Sequence, residues 1–183
     1  MMKKTLMIFW LLLTFLGAQA QSFTPPAEGK TVVYFIRISS WGSLVDFAYF
    51  DRDKYIGKFN GRKYLRYECD PGEHLLWVRA ENRDFVEANL EAGKIYLLEP
   101  VPQMGMMKAG AILQTIDMKD PSLKEKVMKV MAKPPVTATE EELAARAEKY
   151  KDEITKGLAK YKDEKAAGKS MLQLKKDMFY TPE

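Results

Sequence analysis

The sequence predicts a mainly β protein: a small antiparallel β-sandwich followed by a helical C-terminal extension. Three observations carry this expectation. Between Lys30 and Met118, short runs rich in β-branched and aromatic residues recur at near-regular spacing, separated by polar turns. Alternation within these runs is clean in places: Val86, Ala88 and Leu90 share one face, and Glu87, Asn89 and Glu91 the other. From Pro121 onward the apolar period lengthens from two residues to three or four.

The β half reads in order. Thr31–Ile38 (TVVYFIRI) is the first strand, and Leu44–Phe50 (LVDFAYF) follows a polar break at SSWGS. DRDK at Asp51–Lys54 is a turn, and YIGKFN begins the return. KYLRYEC, EHLLWVRAE, FVEANLE and KIYLLEP come next, divided by DPG, NRD and AG. Ala111–Met118 (AILQTIDM) is the last expected strand. In the helical half, Leu123, Val127, Val130 and Met131 fall on one helical face, and KPP ends that helix because proline lacks a donor and clashes with the preceding turn. Thr139 and Glu142 have capping-box spacing. After them Leu143, Ala147, Tyr150, Ile154, Leu158 and Tyr161 recur at intervals of 4, 3, 4, 4 and 3, which predicts one amphipathic helix of roughly seven or eight turns. The stripe has two readings: it packs on the β domain, or it binds a protein partner or a second copy of the chain. Gly168 is expected to break the helix, and SMLQLKKDMF either forms a shorter helix or lies against the body.

The first residues set an expectation about compartment. Lys3 and Lys4 form a basic n-region, Leu6–Leu16 an apolar core, and Ala18–Ala20 a small-x-small cleavage site, the layout of a secretory signal peptide. The apolar run falls short of the about 20 residues that span a bilayer, and no later segment is apolar enough to span one. The expected organisation is a signal peptide at 1–20, a linker at 21–29, a β-sandwich at 30–120 and the helical extension at 121–183. Cys69 is the only cysteine, so the domain forms no internal disulfide; with the short signal segment this suggests a bacterial periplasmic or secreted protein. Removing Lys3 and Lys4 takes the formal charge from +4 to +2, and acidic and basic residues are mixed along the chain. No dense basic face of the kind nucleic-acid binding requires is visible.

The order of motifs carries a resemblance. GKTVVYFIRISS, then FAYFDRDKYIGKFNGRKYLRYECDPGEH, then LEAGKIYLLEP and a further strand before a helix, resembles the bacterial exported family known as domain of unknown function 2846. It is more loosely similar to PEGA β-sandwich modules. The resemblance covers about residues 29–131. It implies a small β-sandwich, an exported or envelope location and no established reaction, and it supplies no catalytic residues.

CDPGEH, Cys69 to His74, concentrates the only cysteine and the only histidine with two carboxylates. Pro71 and Gly72 suit the centre of a turn. In a tight hairpin Cys69 faces His74, Tyr67 faces Leu76 and Leu65 faces Val78, all on the apolar face, while Asp70 and Glu73 face water. Pro-Gly prefers a type II turn, which fits a two-residue hairpin poorly, so a looser loop or a crossover between sheets stays open. On the hairpin reading the four residues do not converge. A structural zinc site takes about four ligands, and a nucleophilic cysteine needs an exposed thiolate beside its histidine.

Other groups are weighed against plainer roles. Met104, Met106 and Met107 are thioethers suited to copper(I), or a loop covering a sheet edge. Trp41 and Trp77 are candidates for stacking on a sugar, although Trp77 shares a face with Leu75 and is a candidate for burial under a helix. GKFNGRK lacks the phosphate-loop pattern, Asp51–Arg52–Asp53 supplies too few oxygens for calcium, and Ser39 and Ser40 lack a base. The resulting expectation is a non-enzymatic exported module, without cofactor or metal, acting through protein interaction or structure. The alternative is a glycan-binding module using Trp41 and Trp77, with a hydrolase last because no acid, base and nucleophile can be assembled.

Overall fold

The computed structural model describes residues 23–104 and 109–182, so the expected signal peptide at 1–20 lies outside the described residues. Among the described residues, nine strands and three helices follow in order: β1 Thr31–Ile36, β2 Phe47–Asp51, β3 Lys54–Phe59, β4 Tyr64–Cys69, β5 Gly72–Arg79, β6 Arg83–Leu90, β7 Ile95–Met104, β8 Ala109–Thr115, α1 Pro121–Met131, α2 Glu140–Lys149, α3 Lys151–Ala166 and β9 Leu172–Leu174. They form two sheets, β4-β1-β7-β8 and β3-β2-β5-β6-β9. The molecule is mostly β, a sandwich with helices following it in sequence, as the patterning predicts.

Packing adds two outer layers. Inward-facing side chains of both sheets make the sandwich interior, among them Val33, Phe35, Tyr49, Leu76, Val86 and Leu98. The other face of the first sheet is apolar as well: Val32, Tyr34, Ile36 and Leu97 pack against Val127, Val130 and Met131 of α1. The other face of the second sheet, with Ala48, Phe50, Leu75, Trp77 and Phe85, packs against α2 and α3. The order is therefore helix, sheet, sheet, helices. All six residues of β1 are buried, which accounts for an unbroken apolar run where a one-sided strand would alternate.

Three expectations change. The sheets are mixed rather than purely antiparallel: β1 pairs parallel to β7, and β6 parallel to β9. Each parallel pair joins strands whose intervening chain runs through the other sheet or the helices, a route that no local turn signal reveals. The expected single long helix is two helices. Thr139 caps α2 with the predicted capping box, but the backbone leaves helical geometry at Tyr150 (φ −96°, ψ 3°). There the Tyr150 ring stacks on Tyr55 (5.0 Å between centroids) and meets Phe50 edge-on (5.6 Å), so the break seats an aromatic side chain on the sheet. Of the two arrangements expected after Gly168 the further helix is absent and the segment lies against the body, as a strand: β9 extends the second sheet, and Tyr180 bridges to Ile95 in the first. In the N-terminal linker, Phe23 is buried edge-on to Tyr34 and Tyr180.

The helical layer is locked by two polar ties. Glu153 of α3 takes hydrogen bonds from Arg79 Nε (3.0 Å) and Arg83 Nη2 (2.6 Å). Glu87 of β6 accepts from Tyr161 Oη, from Lys165 Nζ (2.5 Å) and from Gln173 Nε2 (2.7 Å), joining α3 and β9 to the sheet. Hydrogen bonds from Lys165, Tyr161 and Gln173 hold the Glu87 carboxyl down at about 2.

Gly157 is where α3 comes closest: a Cβ added there would lie 2.6 Å from Trp77 Cη2. Gly157→Val should therefore lower unfolding free energy by about 1–3 kcal/mol in urea titrations, the usual cost of overpacking; an unchanged midpoint would show that the helix does not sit on Trp77. A chain ending at Met131 would leave Phe50, Trp77 and Phe85 uncovered. It should lose its near-ultraviolet circular dichroism and bind a hydrophobic dye, whereas a cooperative, native-like β core would contradict the layer order.

Candidate functional site

The CDPGEH hairpin does not form. β4 pairs with β1 in the first sheet, while β5 pairs with β2 and β6 in the second, so Asp70 and Pro71 carry the chain across from one sheet to the other. The alternation argument survives this change, because Cys69 and His74 both face the interior, now from opposite sheets. What joins them is a residue that the sequence places in a turn and weighs only as a calcium ligand. Asp51, at the end of β2, accepts at Oδ2 from His74 Nδ1 (2.6 Å) and from Tyr67 Oη (3.0 Å). His74 Nε2 donates to the Asp70 carbonyl (2.8 Å), and Cys69 lies beside the ring. Asp51, Tyr67, Cys69 and His74 therefore converge, while the side chains of Asp70 and Glu73 face water as expected, so the four rare residues of CDPGEH do not themselves form one cluster. The side chains of Asp51 and His74 are 9% and 13% exposed. The Glu73 carbonyl takes a bond from Arg52 Nη2 (3.1 Å), and Trp77 Nε1 donates to the Arg52 carbonyl (2.9 Å), which ties the β2–β3 turn to β5.

The hydrogen bonds decide what this cluster can do. A carbonyl only accepts, so Nε2 carries a proton; a carboxylate oxygen already taking the tyrosine proton makes Nδ1 a donor too. His74 is thus an imidazolium with both nitrogens engaged. Its pKa is raised from 6.5 to about 10, first by the hydrogen bond to Asp51, then by Cys69, against the opposing effect of burial. Burial, with Asp51 beside it, pushes the Tyr67 phenol well up. A general base needs a free nitrogen near neutral pH, and this ring offers none. The cluster is a buried ion pair that closes the crossover.

A second polar assembly lies at the other end of β2, roughly 13 Å away at about 3.3 Å per residue. Arg37 is fully buried. It hydrogen-bonds no carboxylate among the described residues. Its Nη1 donates to the Val45 carbonyl (2.8 Å), its Nη2 to those of Gly42 (2.6 Å) and Trp41 (3.1 Å), and the guanidinium lies 4.1 Å over the Phe47 ring. Burial lowers its pKa, a measure of what holding the cation there costs. The loop it holds presents Trp41, 43% exposed, and Leu44, 92% exposed. Ser39 Oγ accepts from the Trp41 amide (3.1 Å), so this serine serves the loop turn.

The remaining sequence candidates divide clearly. Trp77 offers no surface to a ligand: it is fully buried, stacked 3.9 Å from Phe50 and covered by α3. Leu143, Ala147, Tyr150, Ile154, Leu158 and Tyr161 pack on the second sheet, so the stripe is covered by the chain's own β domain and is not an open partner face. Side chains of the Met104, Met106 and Met107 run lie outside the described ones. Among the described residues no group of three or more His, Cys, Asp and Glu side chains could hold a metal ion, and no helix is long and apolar enough to cross a membrane. A cleft of about 390 Å³ between β3, β4 and α2 and one of about 800 Å³ beside α1 and the C-terminal tail are lined by neither Cys69 nor His74. Sequence reasoning missed Asp51, Tyr67, Arg37 and Leu44. The available signal was a charge closing an apolar run, as in FAYFD and TVVYFIR.

A raised folded-state pKa means the pair contributes fully below the unfolded value of 6.5 and is lost as pH climbs through about 10. Unfolding free energy of the wild type should fall across that window. His74→Gln should be destabilised by about 3 kcal/mol near neutral pH, having left a buried carboxylate unpaired, and should be flat over the same range. Parallel pH profiles for the two proteins would refute the ion pair.

No model of a known protein family matches the chain, and no curated protein matches it.

Proposed function

We propose that this is an exported envelope protein that works by binding, without catalysis, and that the loop from Ser39 to Asp46 is its recognition surface. The N-terminal layout of Lys3, Lys4, Leu6–Leu16 and Ala18–Ala20 supports export. The motif order of residues 29–131, which resembles domain of unknown function 2846, supports an envelope role without an established reaction.

The observation that carries the reading is the Arg37 clamp. A buried guanidinium without a hydrogen-bonded carboxylate is costly, and its bonds all go to one loop. That expenditure orders a loop whose two large apolar side chains face outward, an arrangement that serves contact with something outside the fold. The His74 cluster supports the non-catalytic half of the reading, since its imidazolium has no free nitrogen. Glycan stacking is a second reading, favoured by the exposed Trp41 ring alone now that Trp77 is buried.

Fractions of envelope lipid, glycan and peptide titrated into isotopically labelled protein should move the amide resonances of residues 39–46. Perturbations centred on Asp51, Cys69 and His74 would overturn the assignment of the binding surface.

A further inference from the structure

We propose that the Ser39–Asp46 loop end docks on an anionic lipid bilayer, with Trp41 and Leu44 entering the headgroup layer and Arg62, Lys63 and Lys133 meeting its phosphates. This rests on the binding reading above and names the partner.

Shape is the first argument. Single exposed apolar residues are ordinary on protein surfaces. Here two large ones stand three positions apart on one short loop, and Leu44 has nearly its whole side chain in water. Gly42 turns the loop at φ 61°, and Arg37 grips it on both sides of Leu44, at Trp41, Gly42 and Val45. The result is a tip held at three of its carbonyls with both large apolar side chains turned outward. A folded protein partner would need a matching pocket to bury such a tip, whereas a fluid interface accepts it without one. Tryptophan and leucine are side chains that enter the boundary between headgroups and acyl chains.

Charge is the second argument. The 60–63 turn runs beside this loop: the Arg37 amide donates to the Lys63 carbonyl (3.0 Å), and a Cβ added at Gly61 would lie 3.8 Å from the Ser43 carbonyl oxygen. This turn carries Arg62 and Lys63. Lys133, just after α1, joins them by donating to the Arg62 carbonyl (3.3 Å). Lys63 reaches the neutral Asn60 side chain at 3.5 Å. The loop's own acid, Asp46, is neutralised by Lys58 at 2.7 Å. Among the described residues, Glu81 in the β5–β6 turn is an opposing exposed charge at this end of the sandwich, and Arg79 and Arg83 share Glu153. Three cations flanking an apolar tip, with its acid already paired, complement an anionic lipid surface.

The test uses the chain from Gln21, which includes every described residue. Trp10 is then absent and Trp77 is fully buried, so emission changes report Trp41. Vesicles of phosphatidylglycerol mixed with phosphatidylcholine should sediment the protein and shift its emission to the blue. Vesicles of phosphatidylcholine alone should bind about tenfold more weakly, since each basic residue near the surface contributes. Leu44→Glu and Trp41→Ser should each weaken binding about tenfold or more. The double change Arg62→Glu with Lys63→Glu should abolish the preference for anionic vesicles. Near-ultraviolet circular dichroism confirms that each variant is folded. No sedimentation with anionic vesicles, or unchanged binding by folded Leu44→Glu, overturns the proposal. Should glycan or peptide fractions move the amides of residues 39–46 while vesicles do not, the lipid assignment fails and the binding loop stands. Should none of the three move them, both fail.

Discussion

Trp77 lies flat on Phe50, with ring centroids 3.9 Å apart and planes 13° from parallel, on the face of the second sheet that points away from the sandwich interior. Water would meet this face in any two-layer arrangement. Phe85, Leu75 and Ala48 extend the same apolar surface, and Val32, Tyr34 and Ile36 make its counterpart on the first sheet. A sheet apolar on both sides has to be covered on both sides, because an exposed patch of this size favours association over solubility. The helices are therefore the cover that keeps these outer faces of the sandwich from water. The close seat of Gly157 on Trp77, the break at Tyr150 and the return of β9 to the sheet edge all follow from fitting a cover to a surface whose bulkiest side chain stands at its centre.

Apolar side chains fill the three interfaces, and two polar assemblies sit at the two ends of β2. At its C-terminal end Asp51 meets an imidazolium and a phenol, an ion pair with its charges matched inside the fold. At its N-terminal end Phe47 lies under Arg37, whose guanidinium hydrogen-bonds backbone carbonyls and covers an aromatic face, with Asp46 near enough to favour its charge without a hydrogen bond. The first assembly joins elements of both sheets and has a structural purpose: it holds the crossover that lets β4 and β5 belong to different sheets. The second grips the loop leading from β1 to β2, orders it and leaves its side chains outside.

Much of this was legible in the sequence, and the limits are physical. Alternation is a local property, so it correctly placed Cys69 and His74 inward and set Trp77 opposite Leu76 and Val78. The capping box at Thr139 and Glu142 was equally local and is present. Pairing partners are not local. Asp70-Pro71-Gly72 is compatible with a hairpin or a crossover, and the choice is made by β1 and β2, each of which satisfies the backbone of one of the two strands. The parallel pairing of β1 with β7 joins residues about sixty positions apart, and nothing near either strand announces it. The amphipathic stripe was visible in full, but its periodicity could not say that the surface it covers belongs to the same chain. The convergence of Asp51 on His74 was hidden for the same reason, because 23 residues separate them.

Stability alone accounts poorly for the Arg37 end. The ten-residue connection at 37–46 needs no buried cation to join two strands, and an apolar side chain at position 37 would fill the space beside Phe47 without the desolvation cost. The directed use of the guanidinium is informative: its nitrogens bond three carbonyls drawn from one short stretch, while Nε is buried without a partner. Such an arrangement limits how far the stretch can relax, and relaxation is what would otherwise fold Leu44 back against the body to escape water. The fold covers the faces of both sheets, yet it holds a leucine 92% exposed beside a half-exposed tryptophan, the contrast on which the proposed binding role rests. Ile112, Met128, Met178 and Phe179 are also exposed, at 36–39%, but none stands out of the fold as far as Leu44, whose loop a buried arginine holds at three carbonyls.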